Sequence, residues 1–402
     1  MKNALLIIAL FVATLQMSAQ NEEDEYRRSS IYSVLVNHSD LKYANEIVSV
    51  FKQIPVPDKY NDHDLSVKVV KATTAGHIDK SIAEQFLNNN HVASRLVAKW
   101  FDWNFLTGEC DIRIIAKRGL YDASEQKIVE AAASIRKFAM LEDAGQELIG
   151  NTFVLVNDIQ YIDKEQRAQF WAGVAALAGN VMAEATGEKT WATVGTTTAL
   201  AVSTIKGFRV KVLTHLYQLV WDKAAENTFY EKIYSNKPDN QKLAAMEQYR
   251  NSFTLRYIGS QMSSGGQTSF LGINEDQPQV MIRKACQRAL DENVMNLQKN
   301  FDVFKVKVRL TSTEPITAPI GRKEGITTNS KFEVLEKIYD VKKGRTTYKR
   351  VGVIRPTSDD LIWDNRYMSV EERAKGATLG YTTFEKVSGG KFNETMLIRE
   401  IK

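Results

Sequence analysis

Apolar and polar positions follow two periods along this chain, and the change between them falls near Asp302. Before it, apolar residues recur mostly at helical spacing, broken by a few short apolar runs. After it they alternate with a period of two. Segment 30–36 (SIYSVLV) reads as a short buried strand, and Ala44, Ile47, Val48 and Phe51 set a helix over 41–51. In 54–64 (IPVPDKYNDHD) two prolines force extended backbone and the Asn/Asp cluster favours turns, so a loop is predicted. A strand is predicted at 65–70, helices at 79–88 and 91–101, and a loop at 102–109. A further helix is predicted at 124–141, where Ser124 can cap it and Ile128, Ala131, Ala132 and Ile135 share a face.

Segment 151–159 (NTFVLVNDI) predicts a buried strand. In 207–221, Phe208, Val210 and Val212 alternate with Arg209 and Lys211. Both phases then turn apolar through Leu216, Leu219, Val220 and Trp221, the pattern of a strand covered on both faces. These two strands are expected to pair, with 161–206 as an excursion between them. Helices are predicted at 223–234 and 239–250, a strand at 253–259, and a flexible loop at 261–268 (QMSSGGQT). The clearest helix is 278–300. It opens on Pro278 and spaces Val280, Ile282, Cys286, Ala289, Leu290, Val294 and Leu297 on helical turns. Strands then follow at 303–310, 331–339, 348–354, 379–387 and 394–401, separated by Gly and Asp turns. The expected class is α+β: a mixed region over 20–300 with helices packed on a small sheet, then a β-rich barrel or sandwich module over 301–402.

Lys2, the apolar run 4–15 (ALLIIALFVATL) and the small residues Ser18 and Ala19 have the layout of a secretory signal peptide, predicted as 1–19. The run is shorter than the ~20 residues that span a bilayer. The expected location is the periplasm, the periphery of the outer membrane or the medium. No cysteine follows the run, so a lipid anchor is not expected.

Two apolar stretches rich in small residues stand out inside the excursion, 170–183 (FWAGVAALAGNVMA) and 191–205 (WATVGTTTALAVSTI). The polar turn 184–189 separates them and charged residues flank them. Their small residues allow close helix approach, and Trp171 and Trp191 near the run starts suit a membrane interface. A hairpin folded onto the protein's own surface, one that meets a partner and one partly inserted in a bilayer are the three readings. The contact residues expected for the last two are Phe170, Trp171, Val174, Trp191, Val194 and Leu200.

Composition adds exclusions. The formal net charge is +5, about +4 once Lys2 leaves, and the 53 basic and 48 acidic residues are interspersed. No clustered basic patch invites nucleic acid. No Gly-x-Ser-x-Gly elbow is present, and Gly321–Gly325 (GRKEG) reads as a turn rather than a phosphate cradle. The five histidines lack the i, i+4 spacing of a helical zinc site, and His215 reads as a satisfied histidine of a buried strand. No cofactor is expected. Asp58, Asp62 and Asp64 offer oxygens to a hard cation but lack the glycine and distant glutamate of a calcium loop, so they are weak metal candidates beside a solvated turn. Cys110 and Cys286 are the two cysteines. Export permits a disulfide between them, and two buried free thiols are the alternative.

Segments 139–159 (AMLEDAGQELIGNTFVLVNDI) and 207–221, with the loop 54–65, resemble a family of uncharacterised exported proteins from Bacteroidota-type bacteria. The resemblance implies location and no activity. Segments 319–326 (PIGRKEGI), 331–334 and 352–354 are similar at fold level to small β modules of envelope assembly factors, such as the C-terminal domain of flagellar assembly protein T. The expected function is therefore that of a non-catalytic cell-envelope protein with a structural or assembly role, whose partner is an envelope protein or the membrane surface. A periplasmic hydrolase with an unrecognised carboxylate site and a peripheral membrane-active assembly protein are the alternatives.

Overall fold

The computed structural model describes residues 28–72, 76–111, 148–162, 207–268, 278–340, 345–366 and 379–401. It holds both helices and sheets, 32% helical and 34% strand, and one sheet is a curled, all-antiparallel half-barrel. The predicted helix 124–141, the signal segment 1–19 and all six expected contact residues from Phe170 to Leu200 lie outside the described residues.

The first sheet has the order β2-β1-β4-β5-β6, with β3 also on β1. β1 is Ser29–Asn37, β2 Tyr60–Asp62, β3 Val69–Lys71, β4 Thr152–Tyr161, β5 Gly207–Leu219 and β6 Leu255–Thr268. β1, β2, β3 and β4 run parallel, while β5 and β6 run antiparallel to their neighbours. The side-chain alternation sorts the strands into two buried faces. Tyr32, Val34, Val36, Val154, Val156 and Tyr217 pack with α2 (Lys80–Asn89), α3 (Val92–Trp100) and the aromatic group Trp100, Phe101 and Phe229. Ile31, Leu35, Phe153, Leu155, Val212 and Leu216 face the other way, under α1 (Ala44–Phe51) and α6 (Pro278–Asn300). Between these helices in the chain lie α4 (Lys223–Thr228) and α5 (Asn240–Tyr249), each capped by an aspartate, Asp222 and Asp239, that accepts first-turn N–H bonds.

β6 corrects the expected flexible loop at 261–268. The Ser/Gly run pairs with β5 as far as Gly207 opposite Thr268. Its small residues are there because α6 comes close: a Cβ on Gly265 would stand 1.9 Å from the Ala285 carbonyl oxygen, and Ser263 Oγ donates to the Ala289 carbonyl at 2.7 Å.

The half-barrel has the order β7-β13-β10-β11-β12-β9-β8. Its strands are β7 Val308–Arg309, β8 Ser312–Thr313, β9 Ile316–Ala318, β10 Lys331–Asp340, β11 Arg345–Pro356, β12 Thr382–Gly389 and β13 Leu397–Ile401. Phe332, Val334, Ile354, Phe384 and Ile398 form its core. The predicted strand 303–310 shrinks to β7, because Asp302–Phe304 turn as a 3-10 helix that drives Phe304 into the first sheet's core. There Phe304 stacks on Tyr60 at 5.1 Å between centroids, and Tyr60 OH donates to the Phe304 carbonyl at 3.1 Å.

Candidate functional site

β4 carries Asn157, Asp158 and Gln160 in an otherwise apolar run, all three buried. A charge at such a place is costly unless it is bonded. Asp158 Oδ2 accepts the Ile78 N–H at 2.9 Å and lies 3.0 Å from His38 Nε2. Its Oδ1 accepts from Gln160 Nε2 at 3.0 Å and lies 3.1 Å from His77 Nδ1. Burial raises this carboxyl, but the His38 and His77 rings beside it outweigh burial and hold it well below the usual carboxylate range. His215, on β5, continues the network. Its Nε2 donates to the Ile78 carbonyl at 2.8 Å, which fixes Nδ1 as the acceptor from Ser260 Oγ at 2.6 Å. Ser260 in turn accepts from Tyr257 OH at 2.6 Å. Burial lowers the His215 pKa, keeping the ring neutral.

This cluster sits where the parallel strands β1 and β4 end. The chain leaves β1 toward one face of the sheet and β3 toward the other, and such a carboxyl edge is where open α/β sheets bind ligands. Ser260 is 4% exposed and bonded on both sides, so the Ser260–His215 pair fixes the edge and is closed to a substrate.

The other face holds a small acidic cleft of about 40 Å³. Ser33 is small where its neighbours Ile31 and Leu35 are large, and the Pro55 and Pro57 backbone lifts off the sheet above it. A gap is left between that loop and α6. Ile54, Val56, Leu155, Leu290 and Val294 line it with Asp62, Asp64, Asp291 and Lys68. Asp64 Oδ2 lies 3.6 Å from Lys68 Nζ. Beside the cleft, Lys323 from the turn Arg322–Glu324 places its Nζ 3.3 Å from Asp58 and 3.7 Å from Asp291, tying the half-barrel to the first sheet. Burial pushes the Asp291 carboxyl up to about 6, with Lys323 opposing and Asp58 adding to the shift. Burial also raises Asp58, yet Lys323 and Lys59 prevail and lower it. Buried Glu324 accepts from the Gly321 N–H and Asn365 Nδ2, each at 2.8 Å, and burial raises its pKa.

The three aspartates named as weak cation ligands are thus divided. Asp58 goes to Lys323, Asp64 to Lys68 and the Ser66 N–H, and Asp62 to the cleft. Among the described residues no group of three or more His, Cys, Asp or Glu side chains is arranged to hold a metal. Cys110 and Cys286 are buried free thiols on opposite faces of the first sheet, Cys110 with Trp100 and Phe229, Cys286 with Val210 and Val212, and the sheet stands between them. Burial pushes their thiols up to about 11 and about 12.

The histidines are scattered along the sequence, whereas the fold gathers His38, His77 and His215 around Asp158 and Ile78. The legible signal was the run Asn-Asp-Ile-Gln in a buried strand, since polar residues there demand partners. Asp291 and Lys323 had no such signal, because each reads as an exposed helix or turn residue. No protein-family model matches the chain, and no curated protein matches it.

Proposed function

We propose that the protein is exported to the cell envelope and binds another macromolecule there in a structural or assembly role, without catalysis. One observation carries this reading. Tyr161 lies opposite Val210 at the end of β4, and Gly207 lies opposite Thr268 where β5 begins and β6 ends. Segment 163–206 therefore leaves and returns at one edge of a rigid sheet, beside the departure of 269–277. The reading assigns contact to Phe170, Trp171, Val174, Trp191, Val194 and Leu200 in the first of these segments. It takes 1–19 as the signal peptide, 20–300 as the mixed α+β unit that presents the segment, and 301–402 as a β-rich module. A partner that is lipid rather than protein would make this a peripheral assembly protein. Among the described residues no helix is long and apolar enough to cross a membrane.

A photo-reactive residue at Val194 tests the reading in whole envelopes. The expected result is one cross-linked partner, lost when Trp171 and Trp191 become Ser. Equal labelling with and without the tryptophans would overturn it.

A second reading, a hydrolase, has one specific support. Asp291 is raised and Asp58 lowered on either side of Lys323, and acid–base pairs are found where environments push two carboxyls apart. Turnover of an envelope glycan that is abolished in Asp291→Asn, with fold intact, would establish it.

A further inference from the structure

β3 pairs with β1 alone, and among the described residues no strand lies on its outer side. The Leu35 N–H donates to the Lys68 carbonyl and the Ala72 N–H to the Asn37 carbonyl, so the main chain of Lys68, Val70 and Ala72 turns toward β1. By alternation the N–H and carbonyl groups of Val69 and Lys71 point away from the sheet. A hydrogen-bonding edge of this kind is a template for another strand.

A cavity of about 170 Å³ opens beside this edge, between β3 and α2. Val36, Val70 and Ile78 floor it, and Ile82 and Phe86 of α2 wall it. The floor is fixed, because the Ile78 N–H donates to Asp158 and the Ile78 carbonyl accepts from His215. Gln85 and Asn89, one helical turn apart and both exposed, line the side opposite β3. A carboxamide carries the donor and the acceptor of a peptide group. An extended chain laid in this groove can therefore bond β3 along one edge and the two carboxamides along the other.

We infer that β3 and α2 receive an extended segment of the protein partner as an added strand, with an aliphatic side chain in the cavity and an acidic one next to it. The inference rests on the partner-binding reading and deepens it by naming the form in which the partner chain is held. Main-chain bonds to a sheet edge supply affinity in this mode, and pockets for alternate side chains supply specificity. The apolar floor and wall select the aliphatic residue. Alternation sends the following side chain to the other face of the sheet. There Lys71, exposed and the single charged residue among the described lining, is its cross-strand neighbour, and an opposite charge is favoured.

Methyl resonances and amide hydrogen exchange of the full mature chain provide the test. The probe is a blocked heptapeptide of serine and threonine with Leu-Glu at its centre. Its controls replace the leucine by alanine, replace the glutamate by lysine, or keep Leu-Glu and N-methylate alternate peptide bonds. The expected result is saturable shifts at the Val36, Val70 and Ile82 methyls and slowed exchange of the Val69 and Lys71 amides. The alanine and N-methylated peptides should bind at least about tenfold more weakly, and the lysine peptide more weakly than the probe. Lys71→Pro removes an outward N–H, leaves the bonds to β1 in place and should abolish binding. Gln85→Ala/Asn89→Ala, at exposed helix positions, should weaken binding at least about fivefold with circular dichroism unchanged. Equal binding of the N-methylated peptide, no response at the three methyls, or undiminished binding by the carboxamide variant would overturn the inference. The parent reading is judged apart, by the Val194 cross-link. A cross-link that persists while the methyls stay silent would remove the added strand and leave partner binding standing. Saturable peptide binding without a cross-link would keep the groove and remove the contact assigned to 163–206.

Discussion

His38 Nε2 stands 3.0 Å from Asp158 Oδ2 at the point where β1 and β4 end side by side. The pair closes a network that also holds His77, Gln160 and the Ile78 N–H, so one buried carboxylate pins two strands and the loop before α2. Removing its charge leaves several donors without an acceptor. Asp158→Asn should cost about 3 kcal/mol of unfolding free energy in urea at neutral pH. The pH dependence has a fixed sign. The folded carboxyl lies below its unfolded value, so its contribution is present above about pH 4 and is lost as pH falls through the folded value. Unfolding curves between pH 3 and 7 should show an acid limb for wild type that is shallower in the variant.

Asp291 should behave in the opposite sense. Its folded value of about 6 is above that of an unfolded aspartate, so folding takes up a proton between about pH 4 and 6. Wild-type stability from this group is full below about pH 4 and falls as pH rises to about 6. Asp291→Asn removes that slope. Its stability relative to wild type should therefore rise by on the order of 1–2 kcal/mol from pH 4 to pH 7, read from denaturant midpoints. A relative stability that falls over this range would contradict the burial at the Lys323 seam.

At Gly265 the neighbour is backbone, the Ala285 carbonyl 1.9 Å from an added Cβ. Gly265→Ala must push α6 away from β6 or break the pairing with Val210, and should lose about 2–4 kcal/mol. Gly390→Ala, where an added Cβ meets nothing within 4 Å, serves as the control and should stay within about 0.5 kcal/mol of wild type.

The thiols make a chemical prediction. Intact protein isolated without reductant should carry two free cysteines, each alkylated only after unfolding, because both are buried and their thiolates disfavoured. A mass two hydrogens lighter than the reduced chain would show that Cys110 and Cys286 pair.

Much of the element order was legible from periodicity. The long helix at 278–300 and the neighbouring strands at 152–161 and 207–219 follow from apolar spacing alone, since each buries one or both faces. The misses have physical causes. Ser263 and Gly265 look like part of a flexible loop in sequence, yet a strand under a close helix needs small residues. Val303–Leu310 alternates as a strand does, but the register of Phe304 is set by the pocket beside Tyr60 and Phe153. The Asp158 and Lys323 clusters join residues more than a hundred positions apart, a distance over which local patterning is silent.

The central claim is that segment 163–206, presented by β4 and β5, is the contact surface of an envelope protein. Flotation of the mature chain with purified envelope membranes, with and without a high-salt wash, tests it beside a variant lacking 167–206. The intact chain should float after the wash, and the variant should stay in the soluble fraction with its circular dichroism otherwise preserved. Identical behaviour of the two proteins, both floating or both soluble, would contradict it.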